Sequence, residues 1–338
     1  MTFSVCFIER REGGSPSIER VFRAVADELN KRSIQTSFVK VPYGNGIFGV
    51  FLNLLLFRPP QADIFHITGH VNYLGLTVPK RNSVSTIHDL TILDLRSGFR
   101  RWLIEKLFFV WPSRRLKYLT AISPATKERL IESADISPET VRVIENPLLV
   151  SSNQKSTFRD TDPIILQVGT APNKNVEKLV EALADIPCRL HIVGRISDSL
   201  RQRIQVLNIS IINDESLDDV GIEEAYRNAD IVTLCSTNEG FGLPIIEAQA
   251  NGTLVITSDR SPMREVSGGG AILVDPDSAD SIRDGILVGM ENNELRSTTV
   301  QSGRRNVLRF EKSEIARQYL SLYKEILQEI ELKRSNET

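Results

Sequence analysis

A short glycine-bearing stretch between two glutamates carries the strongest chemical signal in the sequence, E-G-F-G-L-P-I-I-E. Gly240 and Gly242 permit unusual backbone dihedrals and the close approach of another molecule. Pro244 suits the first turn of a helix, and the N–H groups of a helix start can bind an anion. Glu239 and Glu247 are hydrogen-bond acceptors, which suit hydroxyl groups instead. The stretch therefore predicts a ligand with both phosphates and hydroxyls, such as a nucleotide-sugar.

Apolar strand-like runs alternate with amphipathic helix-like runs along most of the chain. A polar, aperiodic segment at 151–162 indicates a linker, and the alternation restarts at Ile164. Fully apolar strands that alternate with helices are typical of parallel sheets covered on both faces. The sequence therefore predicts two doubly wound α/β domains, 1–158 and 159–312. The last helix, 313–332, is long and amphipathic and could pack on either domain.

Unusual residues concentrate at the carboxyl ends of the predicted strands. Ligands of open α/β sheets bind beyond these ends. The residues concerned are Gly13-Gly14, His88-Asp89, 169–174, Gly194-Arg195 and 239–242. Their concentration predicts a ligand site in a cleft between the two domains.

The composition is that of an ordinary globular enzyme. Of 338 residues, 41% are hydrophobic and 25% are charged, and the net charge of -2 gives no electrostatic signature for nucleic acid. Cys6, Cys188 and Cys235 are scattered in apolar runs, which predicts buried free thiols and a reducing cytoplasm. No segment offers about 20 unbroken apolar residues, so no membrane-spanning helix is predicted.

A basic and aromatic stretch at 99–118 interrupts the first domain. It contains both tryptophans, one acid and six basic residues, which are Arg100, Arg101, Lys106, Arg114, Arg115 and Lys117. This composition suits an interfacial helix on an anionic membrane, on the inner face of the plasma membrane. A core-facing helix with a solvated basic rim explains it equally well. The apolar run 46–57 either extends the membrane surface or belongs to the core.

Further motifs accompany the two-glutamate stretch in a fixed order. They are S-T-I-H-D-L from Ser85, A-I-S-P-A-T-K-E-R-L from Ala121, V-R-V-I-E-N-P-L from Val141, I-L-Q-V-G-T-A-P-N-K-N from Ile165 and E-V-S-G-G-G-A-I-L-V-D-P from Glu265. With these motifs the chain resembles the retaining glycosyltransferases of family four, from Gly13 to about Asp284. The resemblance implies the GT-B fold, in which two Rossmann-like domains face a cleft.

The resemblance also implies roles for the two glutamates and the loop between them. Glu247 matches the glutamate that accepts hydrogen bonds from the ribose hydroxyls. We expect it in the first turn of its helix, where the helix dipole favours a carboxylate. Glu239 matches the glutamate beside the transferred sugar. The donor sugar or its diphosphate would then face the backbone of Gly240, Phe241, Gly242 and Leu243.

Lys174 matches the phosphate-binding lysine of the family. Lys174 follows a predicted turn at Gly169. Its charge would offset the negative charge that develops as the nucleoside diphosphate leaves. The family usually has an arginine either beside this lysine or just after the preceding glycine. In this chain these two positions hold Asn173 and Thr170. Arg195, which follows another predicted strand, is a candidate replacement.

The first half of the chain supplies a smaller set of matches. Gly13 and Gly14 resemble the family's glycine loop near the diphosphate and the acceptor. His88 resembles the histidine close to the donor sugar, and with Glu239 and Lys174 it completes the expected catalytic set. We expect Asp89 to hold the loop.

The resemblance implies transfer of a hexose from a nucleotide-sugar to an acceptor hydroxyl, with retention of anomeric configuration. We expect this transfer to be metal-independent and to need no cofactor. The acceptor would be a glycan or lipid-linked sugar in bacterial surface polysaccharide synthesis. A sugar-nucleotide epimerase would share the two-domain architecture, but the paired glutamates argue against it. A non-catalytic glycan-binding relative stays open, because the phosphate-binding arginine is missing.

Overall fold

The computed structural model describes residues 2–11, 17–44, 46–94, 96–151 and 157–337. The predicted glycine loop with Gly13 and Gly14 lies outside these described residues. The chain divides into two compact units. Unit 1 comprises Met1–Leu149 and Glu311–Thr338, and unit 2 comprises Val150–Phe310.

Twelve strands in the described residues form two parallel sheets of six strands each. Five of the twelve are buried along their whole length, three more are buried except at one or both end residues, and the four at the sheet edges are partly exposed. Strands in the middle of such a sheet are covered on both faces. The strands are β1 (Ser4–Glu9), β2 (Gln35–Lys40), β3 (Ile64–Ile67), β4 (Ser83–Ile87), β5 (Tyr118–Ala121), β6 (Val141–Val143), β7 (Ile164–Val168), β8 (Arg189–Val193), β9 (Ser210–Asp214), β10 (Ile231–Leu234), β11 (Leu254–Ser258) and β12 (Ile272–Val274).

Helices connect the strands and cover the sheets. Several begin at a side chain that caps the helix; Ser123, for example, accepts a hydrogen bond from the Thr126 N–H. The helices are α1 (Ser17–Lys31), α2 (Ile47–Leu56), α3 (Gly98–Ile104), α4 (Trp111–Arg115), α5 (Pro124–Ala134), α6 (Val176–Ala182), α7 (Asp198–Val206), α8 (Asp219–Asn228), α9 (Leu243–Ala250), α10 (Met263–Ser267), α11 (Ala279–Glu291), α12 (Asn293–Val307) and α13 (Lys312–Glu337).

The strand order gives each sheet one point where the chain reverses its direction of winding. The sheet of unit 1 has the order β2-β1-β3-β4-β5-β6, with its reversal between β1 and β3. The sheet of unit 2 has the order β12-β11-β10-β7-β8-β9, which is the Rossmann order with its reversal between β7 and β10. Ligands of such sheets bind beyond the carboxyl ends of the strands at the reversal.

The first strand shows how the sequence builds a core on both faces of a sheet. Val5 and Phe7 pack on one face, and Cys6 and Ile8 pack on the other. Successive side chains of a strand point to opposite faces, so an unbroken apolar run requires cover on both sides. The three cysteines of the chain are buried free thiols, as predicted.

The long last helix, α13, packs on unit 1. Tyr319, Tyr323 and Ile326 of this helix belong to the same core as Phe7. The Tyr323 hydroxyl also lies 2.6 Å from Nδ1 of His66, which is fully buried in β3. The first unit is therefore built from two separate stretches of the chain.

The boundary between the units lies after Leu149, not between 158 and 159 where the sequence analysis placed it. Phe158 packs against the core of unit 2, and the Arg296 guanidinium lies 3.8 Å from the centroid of its ring. Arg159 forms an ion pair with the buried Asp230 at 2.8 Å. The polar sequence around Phe158 concealed these contacts, which attach the end of the predicted linker to unit 2.

The apolar run 46–57 forms the helix α2, and the basic stretch forms α3, a π-helical segment at Glu105–Val110, and α4. Three of the six basic residues of this stretch bond to other parts of unit 1. Arg114 donates to the Ala134 carbonyl, Arg115 donates to the Gly75 and Val78 carbonyls, and Lys117 pairs with Glu329. Within the described part of the chain, no helix combines the length and hydropathy needed to cross a bilayer.

Candidate functional site

The loops that follow β7 and β10 bring Lys174 and Glu239 together at the reversal point of the second sheet. Lys174 Nζ donates to Glu239 Oε1 at 2.6 Å. Both side chains are largely buried, with 18% and 13% of their surface exposed. Ser236 Oγ donates to the same Oε1 at 2.7 Å. A cation and a carboxylate are therefore held where a Rossmann-type sheet binds its ligand.

Backbone geometry at Gly169 makes room for the lysine. This glycine has φ of +87°, and a Cβ there would lie 3.2 Å from Cε of Lys174. Any other residue would be strained in this conformation and would crowd the lysine stem. The turn after β7 therefore needs a glycine, both for its backbone conformation and for the space that Lys174 occupies.

Two asparagines tie the β7 loop to its neighbours. Asn173 Nδ2 donates to the Asn238 carbonyl at 2.8 Å, and the Thr237 N–H donates to the Asn173 carbonyl at 2.9 Å. Asn175 donates to the carbonyls of Cys235 and Pro276, at 3.1 and 2.7 Å. The position of Lys174 is therefore fixed by hydrogen bonds on both sides, and Asn175 is a contributor that the sequence analysis did not single out.

The helix that follows the glycine loop begins as predicted, but Glu247 does not lie in its first turn. Gly242 precedes the helix with φ of +110°, and Pro244 is in its first turn. Glu247 is the fifth residue of α9 and is buried, with 8% of its surface exposed. The first-turn prediction was wrong because α9 begins already at Leu243, so that four residues of the helix precede Glu247.

A tyrosine from a neighbouring helix supports the buried Glu247. The hydroxyl of Tyr226, in α8, donates to Glu247 Oε2 at 2.7 Å. Hydrogen bonds to a buried carboxylate offset the cost of removing its charge from water. Tyr226 could not be singled out from the sequence, where only its apolar helical spacing is visible. Phe241 is also buried and packs edge-on against Phe310, at 5.7 Å between ring centroids.

The Arg195 candidate is an exposed arginine that is already paired with a carboxylate. The Arg195 side chain is 84% exposed and forms an ion pair with Glu215 at 3.5 Å. Thr170 Oγ1 donates to the Arg195 carbonyl at 2.7 Å. A second arginine, Arg260, follows β11 on the other side of the site. It donates to the Thr237 carbonyl at 3.4 Å and pairs with Asp277.

In unit 1, His88 lies at the carboxyl end of β4, and one of its ring nitrogens is hydrogen-bonded to the backbone. Its Nε2 donates to the Thr68 carbonyl at 2.6 Å, which assigns the proton to Nε2 and leaves Nδ1 as an acceptor in the neutral ring. Burial lowers the pKa of His88 to about 4. Asp89 accepts the Thr91 N–H at 2.8 Å and so holds the loop, as expected.

A buried carboxylate at the end of β1 was missed by the sequence analysis. Glu9 is 1% exposed, and its Oε2 accepts a hydrogen bond from Arg23 at 2.9 Å. Its Oε1 has no hydrogen-bond partner among the described residues. Burial raises the pKa of Glu9 despite the nearby Arg23. Glu9 is followed by charged residues in the sequence, which made it look like the exposed end of a strand.

The described residues contain no group of three or more His, Cys, Asp or Glu side chains placed to hold a metal ion.

Comparison with known protein families identifies the second unit. Residues 151–306 match the family described as Glycosyl transferases group 1. The chain contains a glycosyl transferases group 1 domain. The family resemblance predicted from the motifs is confirmed, and the pair Lys174–Glu239 and the buried Glu247 all lie within this domain.

Two curated relatives of the chain are bacterial mannosyltransferases. The chain is 27% identical over 217 residues to the O-antigen chain mannosyltransferase RfbU of Salmonella typhimurium, covering 61% of this chain and 60% of that protein. It is 32% identical over 168 residues to the phosphatidyl-myo-inositol mannosyltransferase of Mycobacterium tuberculosis, covering 46% and 44%. The chain thus matches about half the length of these relatives.

Solved structures confirm the predicted fold class. The Anabaena protein HepE, in complex with UDP and glucose, superposes with a TM-score of 0.74 at 17% identity, over 96% of this chain and all of that one. The chain has the GT-B fold, with one parallel Rossmann-like sheet in each unit.

Proposed function

We propose that the protein is a glycosyltransferase that moves a sugar from a nucleotide-sugar donor to an acceptor hydroxyl. The observation that carries the proposal is the Lys174–Glu239 pair at the reversal point of the second sheet, inside the glycosyl transferases group 1 domain. The relatives named above are mannosyltransferases, which supports the same reaction class.

The ion pair suggests how the donor is bound and activated. Lys174 in the described structure neutralises Glu239 at 2.6 Å. A diphosphate that approaches would compete with Glu239 for the ammonium group and would free this carboxylate for the hydroxyls of the sugar. The positive charge then opposes the negative charge that develops on the leaving diphosphate. Glu247, held by Tyr226, would bind the ribose hydroxyls.

Retention of configuration and independence from metals are further parts of the proposal. In this mechanism the leaving phosphate helps to deprotonate the acceptor hydroxyl on the same face of the sugar. Lys174 and backbone N–H groups at the start of α9 supply the stabilisation that a metal would otherwise give. NMR of the product's anomeric proton tests retention. Full loss of turnover with a chelator, restored by manganese, would contradict the metal-free mechanism.

The proposed acceptor is a glycan or a lipid-linked sugar in surface polysaccharide synthesis, used at the inner face of the plasma membrane. The relatives act on O-antigen chains and on phosphatidyl-myo-inositol. The exposed aromatic residues of α3 and its basic residues support contact with an anionic bilayer.

A donor panel tests the proposed reaction directly. UDP- and GDP-linked sugars are first screened by thermal shift, because a ligand that binds the native state raises the melting temperature. The binding donor is then incubated in labelled form with lipid extracts and glycan acceptors. Label in a larger glycan supports a transferase. Conversion of the donor into its epimer, or binding without any turnover, would replace the proposal by one of the two alternative classes.

A further inference from the structure

Unit 1 contains a cavity of about 220 Å³ whose walls are mostly apolar. Its polar lining comes from the loops at the carboxyl ends of β3 and β4, which provide His70, Asn72, His88 and Asp89. Its apolar lining comes from helices and one turn and consists of Ile47, Val50, Ile92, Leu103, Ile104, Leu107, Phe108 and Phe109. Water needs two to four polar partners to be stable in a cavity, so the apolar part favours a hydrocarbon.

The helix α2 continues this apolar lining onto the surface. Five of its large apolar side chains are more than half exposed, namely Ile47, Phe48, Phe51, Leu55 and Leu56. Ile47, which is 78% exposed, lines the cavity as well. Single exposed apolar residues are common on proteins, but a whole helix face of them indicates an apolar partner.

The helix α3 adds an exposed aromatic group with basic residues beside it. The rings of Phe99 and Trp102 stack at 5.5 Å, and Trp111 meets Trp102 edge-on at 6.5 Å. Arg100 and Arg101 are exposed and have no ion pair with any carboxylate of the described residues. Aromatic rings next to such cations are complementary to the anionic surface of a bilayer.

The chain segment between α3 and α4 is π-helical over Glu105–Val110 and supplies three of the apolar lining residues. A π-helical turn is uncommon and occurs often at functional sites. Here it directly follows α3, which carries Phe99 and Trp102, and itself forms part of the cavity wall. The unusual backbone, the cavity and the exposed surface therefore occur in one continuous part of unit 1.

We propose that this cavity binds the hydrocarbon chain of a lipid-linked acceptor, with α2 and α3 against the bilayer. The head group of the lipid would then lie toward His88 and Asp89, at the polar lining. This inference rests on the proposed function, because the lipid is an acceptor only if the protein transfers a sugar to it. Binding of the hydrocarbon chain itself depends only on the described residues of unit 1.

Intrinsic fluorescence gives a direct test, because both tryptophans of the chain are in the exposed aromatic group. The probe is dodecyl maltoside brominated in its alkyl chain, used below its micelle concentration. We expect saturable quenching in the native chain. Ile92→Asp and Ile47→Asp, at positions 40% and 78% exposed, place a charge in the cavity wall without cutting into the core. Each is expected to weaken the apparent affinity at least tenfold.

The matched control is Val220→Asp, at a 66% exposed position in unit 2, which is expected to quench like the native chain. Quenching that does not saturate, or that is unchanged in both cavity variants, would mean surface adsorption only and would overturn the proposal. So would a native dimer in sedimentation that the cavity variants convert to monomer, since the apolar face would then contact a second copy.

The thermal shift with nucleotide-sugars separates this proposal from the proposed function. If donors bind and transfer proceeds to free glycans while the alkyl probe does not bind, the transferase stands and the cavity proposal fails. If the probe binds and no donor does, the cavity proposal stands as a lipid site and the transferase assignment fails.

Discussion

At the scale of single residues, Lys174 is the group on which the proposed chemistry depends most. We expect Lys174→Ala to lower kcat by about 100-fold or more, as removal of one preorganised charge or donor does elsewhere. The measurement is turnover at saturating donor. Lys178→Ala is the matched control, because that lysine lies on α6 and pairs only with Glu181 in the described structure. Equal turnover in the two variants would contradict the assignment of Lys174.

Glu247 and Tyr226 are expected to act on donor binding. Glu247→Ala should raise the donor KM, and Tyr226→Phe should raise it less, because the carboxylate stays but loses a hydrogen bond at 2.7 Å. Such a bond to a charged group contributes about 1.5–3 kcal/mol. Initial rates at varied donor concentration measure both effects. Glu224→Ala, at an exposed position of α8, serves as control, and an unchanged KM in Glu247→Ala would remove this residue from the site.

The buried histidines of unit 1 predict a loss of stability in mild acid. Burial lowers the pKa of His88 to about 4 and that of His66 to about 3, against an ordinary value of 6.5. The unfolded chain therefore binds protons more readily, and the free energy of unfolding should fall as the pH falls from about 6.5 to 4. Urea unfolding of the native chain and of His88→Gln across this range tests it. An equally steep fall in the variant would contradict the contribution of His88.

The motifs and the family resemblance predicted Lys174, Glu239 and Glu247 as a group, but not how each is held. The spacing of E-G-F-G-L-P-I-I-E shows acceptors near a helix start. It cannot show that Tyr226 comes from another helix to meet Glu247, because contacts between distant parts of a chain leave no local pattern. The same reason hid the unpaired oxygen of Glu9.

At the scale of elements, α2 and α3 carry the prediction about membranes. We expect the chain to bind vesicles that contain phosphatidylserine and to be released by salt, which shortens the Debye length from about 8 Å at 0.15 M to 3 Å at 1 M. Each basic residue near an anionic surface contributes about 1 kcal/mol, so Arg100→Gln with Arg101→Gln should lower the partition about 30-fold. Vesicle co-sedimentation measures this.

The control for the vesicle experiment is the double variant Arg201→Gln with Arg227→Gln, at exposed positions in unit 2. It should bind vesicles like the native chain. Equal losses in both double variants would indicate that net charge alone decides, and unchanged binding in Arg100→Gln with Arg101→Gln would exclude α3 as the contact.

Strands and amphipathic helices were predictable because their hydrophobic periods are local. The amphipathic runs at 17–30 and 124–133 predict two helices, which the structure has at Ser17–Lys31 and Pro124–Ala134. The helix α2 was not predicted, since an almost unbroken apolar run has no polar face and gives no helical period. Its exposure stayed one of two open interpretations, because apolar composition normally indicates burial.

At the scale of the whole molecule, α13 is expected to be essential for unit 1 and dispensable for unit 2. A chain truncated after Phe310 loses Tyr319, Tyr323 and Ile326 from the core around Phe7. Hydrogen exchange should then show fast exchange in β1 and β3, with β7 and β10 still protected. Leu332→Ala, at a 65% exposed position of α13, is the control and should leave all four strands protected. Continued protection of β1 and β3 in the truncated chain would contradict this dependence.

The discontinuous composition of unit 1 has a consequence for synthesis on the ribosome. Its first 149 residues emerge early, but the helix that covers one face of their sheet follows only after all of unit 2. At about 5–20 residues per second, the sheet waits on the order of ten to forty seconds with Phe7 and its neighbours uncovered. During this interval the nascent chain offers a binding surface to chaperones, and codons that slow translation of unit 2 should raise the yield of aggregated product.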